Sequence, residues 1–115
     1  MSKRWDVCYA YLDPTLGTEQ AGNRPVLILS IDEFNEPLQR VTVLPITTRR
    51  SGRHVYPNEA LLPSGTAGLD RESIAMGHQI RALSAARLKR LLGSVTDPAI
   101  QETCLRAVRV HLGMF

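Results

Sequence analysis

At 115 residues the chain can build one core and not two, so it is read as a single domain spanning 1–115. Hydrophobic residues make up 43% and charged residues 22%, the balance of an ordinary soluble globular protein, and no apolar run is long enough to cross a bilayer. The formal charge of +3 tilts towards an anionic partner without demanding one.

The chain opens with Met-Ser-Lys-Arg-Trp-Asp, basic residues with no apolar stretch behind them, which predicts no signal peptide. Val7 to Leu12 reads as a strand by its β-formers. Asp13-Pro14 and Gly17 break it and start a loop that runs to Gly22. Val26 to Ile31 is the second strand, and its apolar run Val26 to Leu29 predicts burial on both faces. Pro25 is read as opening it, because a first residue need not donate to the ladder. Proline also biases Arg24 towards an extended backbone, so a guanidinium sits where the loop enters the core.

Asp32, Glu33 and Asn35 mark a polar connection in which Pro37 excludes a helix of any length. Val41 to Leu44 is a third strand, stopped by Pro45, and the basic loop Thr47 to His54 follows. Val55 to Leu62 is a strand placed by Pro57 at an edge or a bulge. A loop follows from Pro63 to Gly68. Ser73 to Met76 and Gln79 to Ala82 read as two short strands hinged near Gly77.

The period then changes. Ala85 to Leu92 reads as a short helix with Ser84 as N-cap and Gly93 as its stop. Asp97 before Pro98 is a strong helix start. Ile100, Cys104, Ala107, Val108 and Leu112 then recur along one helical face, and Glu102 and Arg106 lie one turn apart on the other. Together these elements predict an α+β domain: a small, mostly antiparallel sheet with helices after it.

Few residues carry obvious chemistry. The glycines form no nucleotide-binding fingerprint, and His54, His78 and His111 are scattered, so neither a nucleotide cofactor nor a metal is expected. Cys8 and Cys104 stand at opposite ends without ligand spacing and read as reduced core thiols of a cytoplasmic protein. No Gly-x-Ser-x-Gly elbow supports a serine triad. Arginine is what stands out: Arg24, the group Arg49, Arg50 and Arg53, and Arg81. A planar guanidinium donates two parallel hydrogen bonds to phosphate oxygens, although a solvated basic loop has the same composition.

Three stretches extend this reading. The run Leu-Asp-Pro-Thr-Leu-Gly-Thr-Glu-Gln-Ala-Gly-Asn-Arg-Pro-Val-Leu at 12–27, Leu-Pro-Ile-Thr at 44–47 and His-Gln-Ile-Arg at 78–81 closely resemble the MazF/PemK toxins. The resemblance continues through Ser73-Ile74 and Leu-Gly-Ser at 92–94, so it covers nearly the whole chain in register.

The resemblance implies a compact SH3-like barrel with appended helices, working as a homodimer. It also implies a sequence-selective endoribonuclease that cuts single-stranded RNA and is the toxin of a toxin–antitoxin pair. The family's catalytic arginine falls on Arg24 and its catalytic threonine on Thr47. Glu19 and Gln20 match a mobile loop that contributes to substrate binding and activity, and Gln79 and Arg81 match a strand near the RNA groove. The expected protein partner is a MazE-like antitoxin with an acidic, flexible segment. No cofactor and no membrane association are implied.

Trp5 departs from the pattern, standing where many relatives have glycine, and Ala82 stands where threonine or serine often follows the arginine. Two other classes fit the fold. A catalytically silent SH3-like module would have no need of both Arg24 and Thr47. A CcdB-like gyrase poison would be expected to end in Trp-Gly-Ile, whereas this chain ends His-Leu-Gly-Met-Phe.

Overall fold

The computed structural model describes residues 2–12, 17 and 22–115. Glu19 and Gln20 lie outside the described residues. The element order is β1 (Asp6–Leu12), β2 (Gly22–Ile28), α1 (Asp32–Leu38), β3 (Arg40–Thr48), β4 (Glu59–Leu62), β5 (Ser73–Met76), β6 (Arg81–Ser84), β7 (Leu88–Ser94) and α2 (Pro98–Leu112). The strands form an antiparallel sheet in the order β4-β5-β3-β2-β1-β7, with β6 on β3 off that path. The sheet remains open, and with its two helices the fold is α+β.

Both strand prolines sit inside strands rather than at their ends. Pro25 is the fourth residue of β2, paired with Tyr9 of β1, while β3 pairs only with Val26–Ile28. The front half of β2 therefore has one free edge, where a missing N–H is tolerated. Pro45 does not stop β3. One side of β3 pairs with β6 at residues 40–43 and with β5 at 46–48, and Pro45 falls between these two ladders. A proline there forfeits no bond on that side, and β3 carries the chain from one half of the sheet into the other.

Three predicted elements are corrected. Pro37 does not exclude a helix: α1 contains it in its last turn. The buried Asn35 anchors that helix, donating Nδ2–H to Ser30 O at 2.8 Å and accepting from Ser30 Oγ at 2.5 Å. The helix expected at Ala85 to Leu92 is a single 3-10 turn, Ala85–Arg87, followed by β7. Ser84 caps that turn, accepting from the Ala86 N–H at 3.3 Å. Beyond it the chain pairs with β1 from Leu88 to Ser94, because β1 otherwise leaves an open edge. Gly93 is not a helix stop but a point of close approach, where a Cβ would come within 2.6 Å of the Ala67 carbonyl carbon. The strand expected from Val55 is confined to Glu59–Leu62 at the sheet edge, with Pro57 before it.

The core divides between the two sheet faces. One cluster joins Val7, Leu27, Leu29, Leu44, Ile46, Ala60 and Leu62 to Cys104 and Ala107 of α2. The other holds Cys8, Ala10, Leu12, Val26, Ile28, Val41, Val43 and Leu83. α2 starts as expected, with Asp97 Oδ1 accepting from the Ala99 N–H at 2.9 Å, and ends at Gly113 in the left-handed region. Its apolar stripe fades at Leu112, which is exposed, and Glu102 pairs with Arg109 rather than Arg106. Both cysteines are buried and free, and burial pushes the Cys104 thiol up to about 12. No helix among the described residues is long and apolar enough to cross a membrane.

Trp5 has φ +74°, the left-handed region that favours glycine. Its N–H donates to Ile28 O at 2.8 Å and its carbonyl accepts from the Val95 N–H at 2.8 Å, which clamps the backbone there. The indole packs on the first core cluster and the Arg4 guanidinium lies 5.0 Å from its ring centre. These contacts offset a conformational cost of roughly 1–2 kcal/mol.

Candidate active site

The site begins where two strands separate. β2 and β3 are paired from Val26↔Pro45 to Ile28↔Val43 and no further, because β3 then turns onto β5 at Ile46↔Ala75. The gap is a pocket of about 380 Å³ walled by Asn23, Arg24 and Pro25 on one side and Ile46, Thr47 and Thr48 on the other. Tyr9 and Ser73 line it further, and Leu69, Asp70 and Arg71 come from the segment before β5.

Register explains why two of these residues belong together. Continuing the β2–β3 pairing by two residues brings Arg24 opposite Thr47. Alternation then puts both on the sheet face whose buried part is Val26, Val41 and Val43. Arg81 shares that face, because it pairs with Val43 across β6. It lies two alternate positions further along β3, roughly 13 Å away at 3.3 Å per residue. Gln79 is not on a strand but in the 3-10 turn Gly77–Gln79.

The basic loop is less uniform than its composition suggests. Arg53 is committed to Glu59, its two terminal nitrogens lying 3.0 and 2.9 Å from the carboxylate oxygens. The Glu59 side chain is 1% exposed and also accepts from the Tyr56 N–H at 3.1 Å, with His78 Nε2 at 2.9 Å. Burial alone would raise the Glu59 carboxyl; hydrogen bonds from Arg53, His78 and Tyr56, with the charge of Arg53, outweigh it and hold the group at about 2. Arg49 donates to Glu72 Oε1 and to Arg53 O, both at 3.0 Å. Arg50 is exposed. None of Arg49, Arg50, Arg53, Gln79 and Arg81 lines the pocket that holds Arg24 and Thr47.

Sequence reasoning passed over Tyr9, Asn23, Asp70 and Arg71. Tyr9 carries an aromatic ring to the pocket, with Arg90 5.2 Å from its centre. Asp70 and Arg71 stand in a stretch without periodicity, so only the fold connects them to the site. Among the described residues no group of three histidine, cysteine or acidic side chains is arranged to hold a metal ion.

Comparison with known proteins places the chain in a family. The profile of the PemK-like, MazF-like toxins of type II toxin–antitoxin systems matches residues 3–112. Endoribonuclease MazF9 of Mycobacterium tuberculosis is 31% identical over 120 residues, covering 100% of this chain and 99% of the relative. Endoribonuclease MazF of Staphylococcus saprophyticus is 34% identical over 114 residues, covering 99% and 93%. Among solved structures, MazF from Deinococcus radiodurans superposes with a TM-score of 0.81 at 24% identity, covering 98% of this chain and 97% of that one. A profile match over nearly the full length, joined to two relatives above 30% identity, shows that the chain belongs to the PemK-like, MazF-like toxin family of type II toxin–antitoxin systems.

Proposed function

We propose that this protein is a sequence-selective endoribonuclease that cuts single-stranded RNA without a metal, leaving a 2′,3′-cyclic phosphate and a free 5′-hydroxyl. The observation that carries the reading is that Arg24 of β2 and Thr47 of β3 line one pocket where the two strands part. RNA brings its own nucleophile, so the protein need only position it and manage charge and protons. The 2′-oxygen forms a bond to phosphorus, the bond from phosphorus to the 5′-oxygen breaks, and that oxygen leaves with a proton taken from water.

Arg24 offsets the negative charge that builds on the phosphoryl oxygens, and Thr47 donates its hydroxyl to one of them to fix the group for in-line attack. A free guanidinium, with a pKa above about 12, is a poor base near neutrality. The 2′-hydroxyl proton therefore goes to Glu19 or to water, with Gln20 assigned to substrate binding.

The family assignment supports the rest of the reading: a homodimer in the cytoplasm, inhibited by an antitoxin whose acidic, flexible segment occupies the RNA groove. Such a segment folds on binding. The test of the activity is incubation with a long single-stranded RNA in excess EDTA, followed by end-group analysis of the fragments. Discrete fragments with cyclic phosphate ends are expected. Activity that disappears with EDTA, or a cut that persists where the sugar is 2′-deoxyribose, would sink the mechanism.

A further inference from the structure

We propose that Arg71 is a further substrate-holding residue of this site, gripping a phosphodiester beside the one that is cut. The inference rests on the endoribonuclease reading and adds a residue that neither the motifs nor the basic loop suggested. Arg71 lines the same pocket as Arg24 and Thr47.

Its backbone is fixed on both sides. Leu69 is buried, its carbonyl accepts from the Gly65 N–H at 2.7 Å, and its own N–H donates to Thr66 O at 2.9 Å. Asp70 O accepts from Ser64 Oγ at 2.7 Å, and Arg71 O accepts from Ser73 Oγ at 2.8 Å. Glu72 O then accepts from the Arg49 N–H at 2.9 Å, which continues the β3–β5 ladder. The Arg71 side chain, by contrast, is exposed. Among the described residues it makes no ion pair, whereas Arg49 is paired with Glu72 and Arg53 with Glu59.

A guanidinium with no ion pair among the described residues, on a stretch of backbone held by hydrogen bonds at the rim of a pocket for a polyanion, is arranged to bind phosphate. Its base is already ordered, so little backbone freedom is lost on binding, and its fork can take two phosphate oxygens at once. Asp70 on the same rim accepts hydrogen bonds and repels phosphate, which leaves Arg71 as the anion-holding group of this segment.

The test uses the full-length protein and a single-stranded RNA with 2′-deoxyribose at the cut position, so that binding is read without cleavage. In a fluorescence-anisotropy titration over a series of KCl concentrations, Arg71→Gln should weaken binding about tenfold near physiological salt. The plot of log affinity against log salt should flatten by about 0.7, the share of one phosphate contact on a single strand. With cleavable RNA, KM should rise while kcat stays within about threefold. Arg71→Lys should restore the salt slope and only part of the affinity, because the charge returns without the fork.

Wild-type affinity and slope in Arg71→Gln would overturn the assignment. So would a loss of kcat with binding unchanged, or a large fall in melting temperature, which would make Arg71 structural. A wild-type protein that cuts no RNA, or an Arg24→Ala protein that cuts normally, would instead bring down the proposed function itself.

Discussion

Arg53 closes on the buried carboxylate of Glu59 with both terminal nitrogens, at 3.0 and 2.9 Å. The pair joins the basic loop to the start of β4, and His78 extends it to the turn that leads into β6. One arginine of a group that reads as RNA-binding is thereby a structural part of the fold. Removing one partner of such a pair leaves the other buried and poorly compensated.

Arg53→Ala should therefore lower stability by about 2–3 kcal/mol, at or below the lower end of the range for breaking buried pairs, because Arg53 is partly exposed and His78 and the Tyr56 N–H remain on the carboxylate. Urea denaturation monitored by circular dichroism measures this. A loss below about 0.5 kcal/mol, of the size of an exposed pair, would show that the contact does not hold the loop. Reduced RNA affinity at unchanged stability would return Arg53 to the substrate-binding set.

The same carboxylate predicts an acid dependence. Glu59 titrates at about 2 in the folded protein against an ordinary 4.5, so its folded pKa is depressed. Its contribution is fully present above about pH 4.5 and is lost as the pH falls through about 2. The difference corresponds to roughly 3 kcal/mol at neutral pH. Urea midpoints measured from pH 6 down to pH 2 should fall more steeply for wild type than for Glu59→Gln. Parallel curves would remove Glu59 as the source.

Much of the fold was legible because the β-formers of β1, β3 and β5 and the capped start of α2 agree with their final states. Pro25 and Pro45 misled because a proline marks a missing donor, and the sequence does not say which strand edge lacks a partner. Ser84 to Gly93 misled more deeply, since its leucines, alanines and basic residues favour a helix while β1 needs a strand along its edge. Arg24 and Thr47 were legible through the stretches around them, and their opposition follows from register. Arg71 was not, because its place beside them depends on how the 63–73 segment packs under β7.

That packing turns on Gly68. Its φ is +78°, and an added Cβ would sit inside contact distance of the Leu92 carbonyl oxygen. Gly68→Ala should lower stability by about 2–4 kcal/mol, as left-handed strain and a backbone clash add. The same change should disturb RNA binding in whatever fraction still folds, since Leu69, Asp70 and Arg71 follow directly on the pocket rim. A melting temperature within a degree or two of wild type would show that β7 yields easily, and the fixed rim would lose its support.

The sharpest division of labour is expected between Arg24 and Thr47. Both line the gap, but they meet the transition state differently. Arg24 brings a full charge to oxygens that gain negative charge as the 2′-oxygen adds to phosphorus. Thr47 brings one neutral hydroxyl. Removing one preorganised donor from such a site typically lowers the rate by about a hundredfold or more, and charged donors sit at the upper end. Arg24→Ala should therefore nearly abolish cleavage, and Arg24→Lys should recover only part of it because the fork is lost. Thr47→Ala should lower kcat by about a hundredfold, and Thr47→Ser, which keeps the hydroxyl, should recover most of that. Both alanine variants should melt close to wild type, since both positions are partly exposed and lie outside the two core clusters. Single-turnover cleavage of a saturating RNA isolates the chemical step. Equal, small rises in KM with kcat unchanged for the two alanine variants would show that the pair binds RNA without acting on the transition state, and the silent binding module would then be the better description.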